Sequence, residues 1–268
     1  MFKNAKNGNV KIGDTDMDYI SFGKGDKVLV MIPGLSDGLK TVKGMAIIMA
    51  MMYKCFASSH KVYVLSRKNH LEKGYSTRDM ASDYVSALNC LGVSQADVFG
   101  ISQGGMIAQY IAIDYPEMVE KLVLAVTLSK QNETVQEVVC SWIKMAELND
   151  YKSLFIDTAE KSFTEVKLKR YRPLYPILSR IGKPKDFRRF IVQANACINH
   201  DAYCELEKIK SPTLVIGASD DKVVGVNTSQ ELAEKIKDSR LIIYEGYGHC
   251  VHEETKDFND QISKFLKQ

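Results

Sequence analysis

Gly100-Ile101-Ser102-Gln103-Gly104 sets a serine between two glycines. Ala96-Asp97-Val98-Phe99 ahead of it reads as a short buried strand, and Gly105 to Tyr115 behind it reads as a helix. A strand that turns sharply into a helix at a serine lifts the hydroxyl above the sheet edge, beside helix amides that have no partner. The flanking glycines suit a turn too tight for side chains. A serine hydroxyl is a weak nucleophile by itself; it needs a base, and the base needs a group to orient it. Two further segments offer these. Thr213-Leu214-Val215-Ile216 reads as a strand and is followed by Gly217-Ala218-Ser219-Asp220-Asp221, a carboxylate where open α/β sheets put their sites. Leu241 to Tyr244 reads as another strand and is followed by Glu245-Gly246-Tyr247-Gly248-His249, a histidine in a glycine-loosened loop. Serine, then acid, then histidine is a set that performs acyl transfer through a covalent intermediate.

The elements that must position these groups are legible as a rhythm. Val10–Ile12 and Tyr19–Phe22 predict an opening hairpin about Gly13-Asp14, and Val28–Ile32 is a continuous apolar run suited to a central strand. A Met-rich helix is expected over Leu39–Phe56, a strand over Lys61–Ser66, and a helix over Thr77–Leu91 with Gly92 placed to cap it. Leu122–Val126 predicts another buried strand. From Ser129 to Leu206 no β-rich run occurs, and the stretch reads as helical, basic and aromatic-rich. Alternation resumes with the strand Thr213–Ile216, the helix Thr228–Ile236, the strand Leu241–Tyr244 and a closing helix Phe258–Leu266. The expected architecture is α/β, a mostly parallel sheet flanked by helices, with residues 1–128 and 207–268 forming the core and 129–206 inserted as a helical cap.

Composition narrows the partners. The chain has 268 residues, 45% of them hydrophobic, and a net charge of only +3, which gives no general attraction to nucleic acid or membranes. The charge is uneven: Tyr151–Phe190 holds eleven Lys or Arg against four Asp or Glu, so the remainder is net negative. Met1-Phe2-Lys3-Asn4 opens no apolar leader, and the longest apolar run, Met45–Tyr53, is too short to span a bilayer. Six cysteines without a C-x-x-C pair are expected to be reduced thiols of a cytoplasmic protein. No metal or cofactor is expected: there is no clustered ligand set, no Walker A pattern and no G-x-G-x-x-G after a strand.

With the triad candidates the chain resembles the α/β-hydrolase superfamily, in the lidded, carboxylesterase-like branch whose cap follows the sixth strand. Ile32-Pro33-Gly34-Leu35, Tyr115-Pro116-Glu117 leading into Leu122-Val123-Leu124, and Gly248-His249 carry the resemblance further. It implies a sheet of about eight strands, Ser102 as nucleophile, His249 as base and Asp221 as the orienting acid. It also implies an oxyanion hole built from the backbone N–H groups of Leu35 and Gln103. Asp220 competes with Asp221, which fits the family pattern better through Val224 and Gly225. His252 competes with His249; His60, His70 and His200 have no motif around them and read as structural or surface residues. Many family members carry His-Gly where this chain has Pro33-Gly34, which leaves the support of the oxyanion loop open. Ser66-Arg67-Lys68-Asn69 also departs from the family, with no functional reading attached. The Met45, Met49 and Met52 stripe reads as helix core, and Trp142, Phe155, Phe163, Tyr171 and Tyr175 either line an acyl pocket or pack the cap.

The implied activity is hydrolysis of an ester or thioester of a small, partly apolar acyl group, without cofactor or metal. C–C bond hydrolysis, aminopeptidase action and perhydrolysis use the same triad; a nucleophilic aspartate, as for epoxides or haloalkanes, is absent. The competing class is a non-catalytic protein that holds a ligand in a hydrolase-like pocket.

Overall fold

The computed structural model describes residues 4–268; Met1–Lys3, part of the segment read for an apolar leader, lie outside them. The opening hairpin pairs β1 (Lys6–Ile12) with β2 (Thr15–Phe22) in register from Lys6↔Ser21 to Ile12↔Thr15, closed by Gly13 at φ +58°. Then β3 (Lys27–Ile32), β4 (His60–Lys68), β5 (Ala96–Ile101), β6 (Val119–Ala125), β7 (Thr213–Ala218) and β8 (Ser239–Tyr244) complete one sheet. Its order is β1-β2-β4-β3-β5-β6-β7-β8, parallel from β4 through β8 and antiparallel at β1 and β2.

Period-two burial on both faces explains the continuous apolar runs. Val30 and Ile32 of β3 join one core with Met80, Tyr84 and Leu88 of α2 (Thr77–Cys90) and Ile107 and Ile111 of α3 (Gln103–Asp114). Leu29 and Met31 face the other side, against Ala46 and Ala50 of α1 (Ala46–Met52) and Phe258 and Ile262 of α11 (Phe258–Lys267). Burying each such large side chain contributes about 1.5–3 kcal/mol. Between β6 and β7 run α4 (Glu133–Glu147), α5 (Tyr151–Ser162), α6 (Glu165–Tyr171), α7 (Tyr175–Leu178) and α8 (Arg188–Ile198). Their excursion leaves and returns at one point, where Lys130 bridges Asp201 and Ser129 O accepts from Ala202 N–H at 2.7 Å. Val138 and Val139 of α4 and Ala194 and Cys197 of α8 share a third apolar cluster with Leu35 and Met106 of the core. After β7 come α9 (Thr228–Lys235), and after β8 the short α10 (Val251–Glu254) that leads to α11.

The expected helix over Leu39–Phe56 is broken. Leu35–Gly38 is a single 3-10 turn, Gly44 sits at φ +84°, and only Ala46–Met52 is α-helical. No helix among the described residues is long and apolar enough to cross a membrane.

Topology decides where a site can form. The chain passes from β3 outward to β4 and then back to β5 on β3's other side, so β3 and β5 are neighbours with Ile32 opposite Gly100. Loops leaving their carboxyl ends therefore diverge from a single crevice, the usual ligand position in open α/β sheets.

Candidate active site

Ser102 stands between β5 and α3 at φ 54°, ψ −120°, a conformation that costs a non-glycine residue roughly 1–3 kcal/mol. Its neighbours hold it there. Ser102 N–H donates to Ala125 O at 2.9 Å, and its carbonyl accepts from Thr127 Oγ1 at 2.7 Å and from Gly105 N–H at 2.8 Å. The two motif glycines are needed on contact grounds. A Cβ at Gly100 would meet Gly104 O at 2.4 Å, and one at Gly104 would meet Ile32 O at 2.0 Å. Val126, at the end of β6 beside this turn, is a second strained residue at φ 44°. Neither Val126 nor Thr127 carries a sequence signal, because each acts through the turn it packs on.

Ser102 Oγ lies 3.0 Å from His249 Nε2, and His249 Nδ1 lies 2.8 Å from Asp221 Oδ2. The other carboxylate oxygen of Asp221 accepts from Val223 N–H at 2.9 Å and Val224 N–H at 3.0 Å. Asp221 and His249 are both buried. Asp220 points outward, exposed, with only a 3.4 Å contact to Ser219 Oγ. The structure thus brings Ser102, His249 and Asp221 into one hydrogen-bonded series and leaves Asp220 out of it. His252 follows on α10, and burial aided by the nearby His249 pushes it down to about 4, so it is neutral at pH 7. His60 is buried against Asp97 at 2.9 Å and His200 against Thr77 Oγ1 at 2.9 Å, both far along the chain from the series, while His70 is exposed.

Leu35 and Gln103 each open a helical turn, so neither N–H has an intrahelical acceptor. A Cβ on Gly34 would sit 3.4 Å from Ser102 Cβ, which shows how closely the loop after β3 approaches the serine. That loop is braced from below by groups to which the sequence alone assigns no function. Arg67, fully buried at the end of β4, donates from Nη1 to Gly34 O at 3.2 Å, and its own N–H donates to Asp37 Oδ2 at 3.1 Å. Arg189 of α8 reaches the same Asp37 oxygen at 2.5 Å and also donates to Asp37 O, Lys68 O and Arg67 O. Gln103 is tied to α8 as well, its Nε2 donating to Gln193 O at 2.6 Å. The Ser66–Asn69 segment, which carried no functional reading, thus supplies Arg67 to support the loop that carries Leu35.

A cavity of about 890 Å³ opens over the serine, bounded by Leu35, Ser102 and His249 at its base and by residues of the inserted helices above. Trp142, Phe155, Phe163 and Tyr171 line it, whereas Tyr175 is buried against Phe155 and bonds Glu160 through its hydroxyl. The methionine stripe differs in part from the helix-core reading: Met45, Met49 and Met52 all line the cavity, Met49 also packs against the core, and the fully buried residues of α1 are Ala46 and Ala50. Donor atoms of Cys250, His252 and Glu253 lie within 4.8 Å of one another in the cavity wall. Desolvation raises both the Cys250 thiol and the Glu253 carboxyl, which disfavours the deprotonated forms a metal takes.

Comparison with known proteins agrees with this architecture. A family model described as the alpha/beta hydrolase fold matches residues 27–256. The chain is 24% identical over 263 residues to 3-oxoadipate enol-lactonase 2 of Acinetobacter baylyi, covering 95% of this chain and 94% of that one. It is 25% identical over 287 residues to epoxide hydrolase 1 of Caenorhabditis elegans, covering 97% of this chain and 70% of that one. Among solved structures, MGS-M2, an alpha/beta hydrolase enzyme from a Medee basin deep-sea metagenome library, superposes with a TM-score of 0.85 at 21% identity, over 97% of this chain and 98% of that one. With a strand–serine–helix turn at its sheet switch point and a family match over most of its length, the chain belongs to the alpha/beta-hydrolase family.

Proposed function

We propose that the protein is a serine hydrolase that cleaves a carboxylic ester or thioester of a partly apolar acyl group through an acyl-enzyme. The observation that carries this reading is the Ser102–His249–Asp221 hydrogen-bond series at the base of an apolar cavity. Ser102 Oγ attacks the acyl carbonyl carbon while His249 Nε2 takes its proton, and Asp221 stabilises the imidazolium. Negative charge collects on the carbonyl oxygen, which the amides of Leu35 and Gln103 receive; one such donor contributes about 3 kcal/mol. The bond to the leaving oxygen or sulfur breaks, and His249 returns the proton to it. Water then attacks the acyl-serine by the same steps in reverse, releasing the acid and free Ser102.

The cavity supports the apolar character and holds more than a short acyl chain, since pockets for drug-sized ligands run about 300–1,000 Å³. A lactone is an internal ester and falls within this chemistry, as the enol-lactonase relative suggests. Epoxide opening in this fold draws on a carboxylate nucleophile, whereas this elbow carries a serine. Residues 129–206 act as the cap over the acyl group in this reading, with Trp142 and Phe155 as its apolar wall. The test is labelling by a fluorophosphonate probe, followed by acyl esters of graded length. Wild type is expected to be labelled once, at Ser102, and Ser102→Ala not at all; equal labelling of both would overturn the nucleophile assignment.

A further inference from the structure

The cavity opens between two elements distant in sequence. Met52 at the end of α1, and Leu174 and Ile181 around α7, line the cavity and yet are 51%, 45% and 63% exposed. These three therefore mark its mouth. The exposed apolar surface continues outward from them on both sides. On α1, Ile47, Ile48 and Met51 face solvent at 61%, 50% and 48%, because its buried side is made of alanines. Beyond the other rim, Ile177 is 62% exposed. Aliphatic residues scattered singly need no explanation, but a contiguous set around a cavity entrance marks an interaction surface.

The two chain segments that form this rim carry charge of one sign, and Glu253 of α10 is an exposed acid in the same lining. Residues 40–54 contain Lys40, Lys43 and Lys54 and no Asp or Glu; residues 166–185 contain seven Lys or Arg and no Asp or Glu. Arg172 is neutralised by Glu160 and Glu165. Lys169, Arg170, Arg180, Lys183 and Lys185 are exposed and make no ion pair among the described residues, and the same holds for the three lysines beside α1. The nearly neutral chain thus carries a concentrated cationic collar about an aliphatic rim.

Protein interfaces deplete lysine, and single-stranded nucleic acid sites present aromatic faces for stacking, so neither partner matches Ile, Met and Lys together. An anionic lipid surface matches both parts: aliphatic side chains enter the headgroup region while Lys and Arg meet phosphates. We propose that the cavity mouth docks on the surface of an anionic bilayer, with Ile47, Ile48, Met51 and Ile177 entering the interface and the cationic collar around them, so that the cavity opens toward the lipid. The proposal rests on surface residues and not on the triad, and it is read by binding without turnover, so it stands or falls separately from ester hydrolysis.

The test is co-sedimentation of the full chain with vesicles of phosphatidylcholine alone or mixed equally with phosphatidylglycerol. Wild type is expected to sediment with the mixed vesicles only, less so as salt is raised. Lys169→Glu/Arg180→Glu/Lys183→Glu and, separately, Ile47→Ser/Ile48→Ser/Met51→Ser are each expected to lower partitioning by about tenfold or more. Their melting temperatures and turnover of a short water-soluble ester are expected to match wild type. Ile48→Trp supplies a signature that does not depend on those triple variants, a blue shift of its emission on the mixed vesicles and none on phosphatidylcholine. Wild type remaining in the supernatant overturns the proposal. So does unchanged binding by the serine triple variant or an unshifted Ile48→Trp, either of which would reduce the collar to adsorption of a soluble polyanion or a protein.

Discussion

Replacing Asp221 by Asn is the sharpest perturbation of the proposed mechanism, because the structure dictates how the new amide must sit. Oδ1 accepts two backbone N–H groups, from Val223 and Val224. An NH2 group cannot accept them, so the carboxamide oxygen of Asp221→Asn takes that position and the NH2 faces His249 Nδ1, now 2.8 Å from Oδ2. Nδ1 must then be the acceptor, and the ring carries its proton on Nε2, facing Ser102 Oγ at 3.0 Å. In that tautomer the imidazole donates to the serine and cannot take its proton. The negative charge that would stabilise an imidazolium is lost in the same step. A wrong-tautomer substitution of this kind lowers kcat by about 10⁴-fold in the well-studied serine proteases, equivalent to about 5.5 kcal/mol at about 1.4 kcal/mol per decade. The assay is steady-state hydrolysis of a chromogenic ester with thermal denaturation run in parallel. Asp220→Asn is the control and is expected to stay within about twofold, since Asp220 is exposed and outside the series. Asp221→Asn retaining activity within tenfold of wild type, or Asp220→Asn losing as much, would refute the assignment of the acid.

Three further outcomes follow from the same geometry. Asp37→Asn removes the shared partner of Arg67 and Arg189 beneath the Leu35 loop; kcat is expected to fall about 10- to 100-fold with KM within about threefold, and steady-state kinetics showing a KM effect alone would contradict the loop's role. Gly104→Ala drives a Cβ onto Ile32 O and Pro33 O, at 2.0 and 2.8 Å, and calorimetry is expected to show a loss of about 3 kcal/mol or more, whereas a wild-type melting temperature would mean the elbow is looser than this packing. Burial holds His200 down at about 3 and His252 at about 4, both below the ordinary histidine value near 6.5. Between those values the unfolded chain binds more protons, so stability is retained above about pH 6.5 and falls below it, by up to about 1.4 kcal/mol per pH unit for each histidine. Urea unfolding between pH 7.5 and 5 is expected to show that slope, and His200→Gln to reduce it by about half, the rest being due to His252.

Much of the sheet was legible because inner strands such as β3, β5 and β7 are buried on both faces and announce themselves as apolar runs, whereas β1 and β8 are partly exposed. Gly13, Gly92 and Gly44 all adopt positive φ; the first two sit where the pattern changes, and the third marks no break in it because apolar residues continue past it. The run Ala46-Ile47-Ile48-Met49-Ala50-Met51-Met52 is apolar on every side, which ordinarily signals a fully buried helix. Here the two alanines are the fully buried residues of α1, since small residues let it lie close to the sheet; Met49 packs partly on the same core, and Met49 and Met52 also line the cavity. Periodicity could not separate these cases, because it reports which residues are apolar and not what lies opposite them.

The same distinction governs the site. The serine turn concentrates its demands on one short stretch: Gly100 is excluded from carrying a Cβ by Gly104 O within the turn and Gly104 by Ile32 O at the end of the adjacent β3, and Asp221 and His249 each lie in the loop that follows a strand. Such local demands leave a mark in sequence. The brace beneath the Leu35 loop makes no local demand. Arg67 only continues a strand, Asp37 only follows a turn, and Arg189 lies more than 120 residues beyond Arg67, on a helix of the insertion. What joins them is the register of β4 beside β3 and the return of α8 over both, which exist only once the chain is folded. The absence of the family's His-Gly pair is therefore informative only with the structure in hand. Support for Gly34 comes here from Arg67, and through Asp37 it is shared with Arg189 of the inserted helices, so the loop that carries Leu35, the proposed oxyanion donor, is linked to the position of the helices over the cavity.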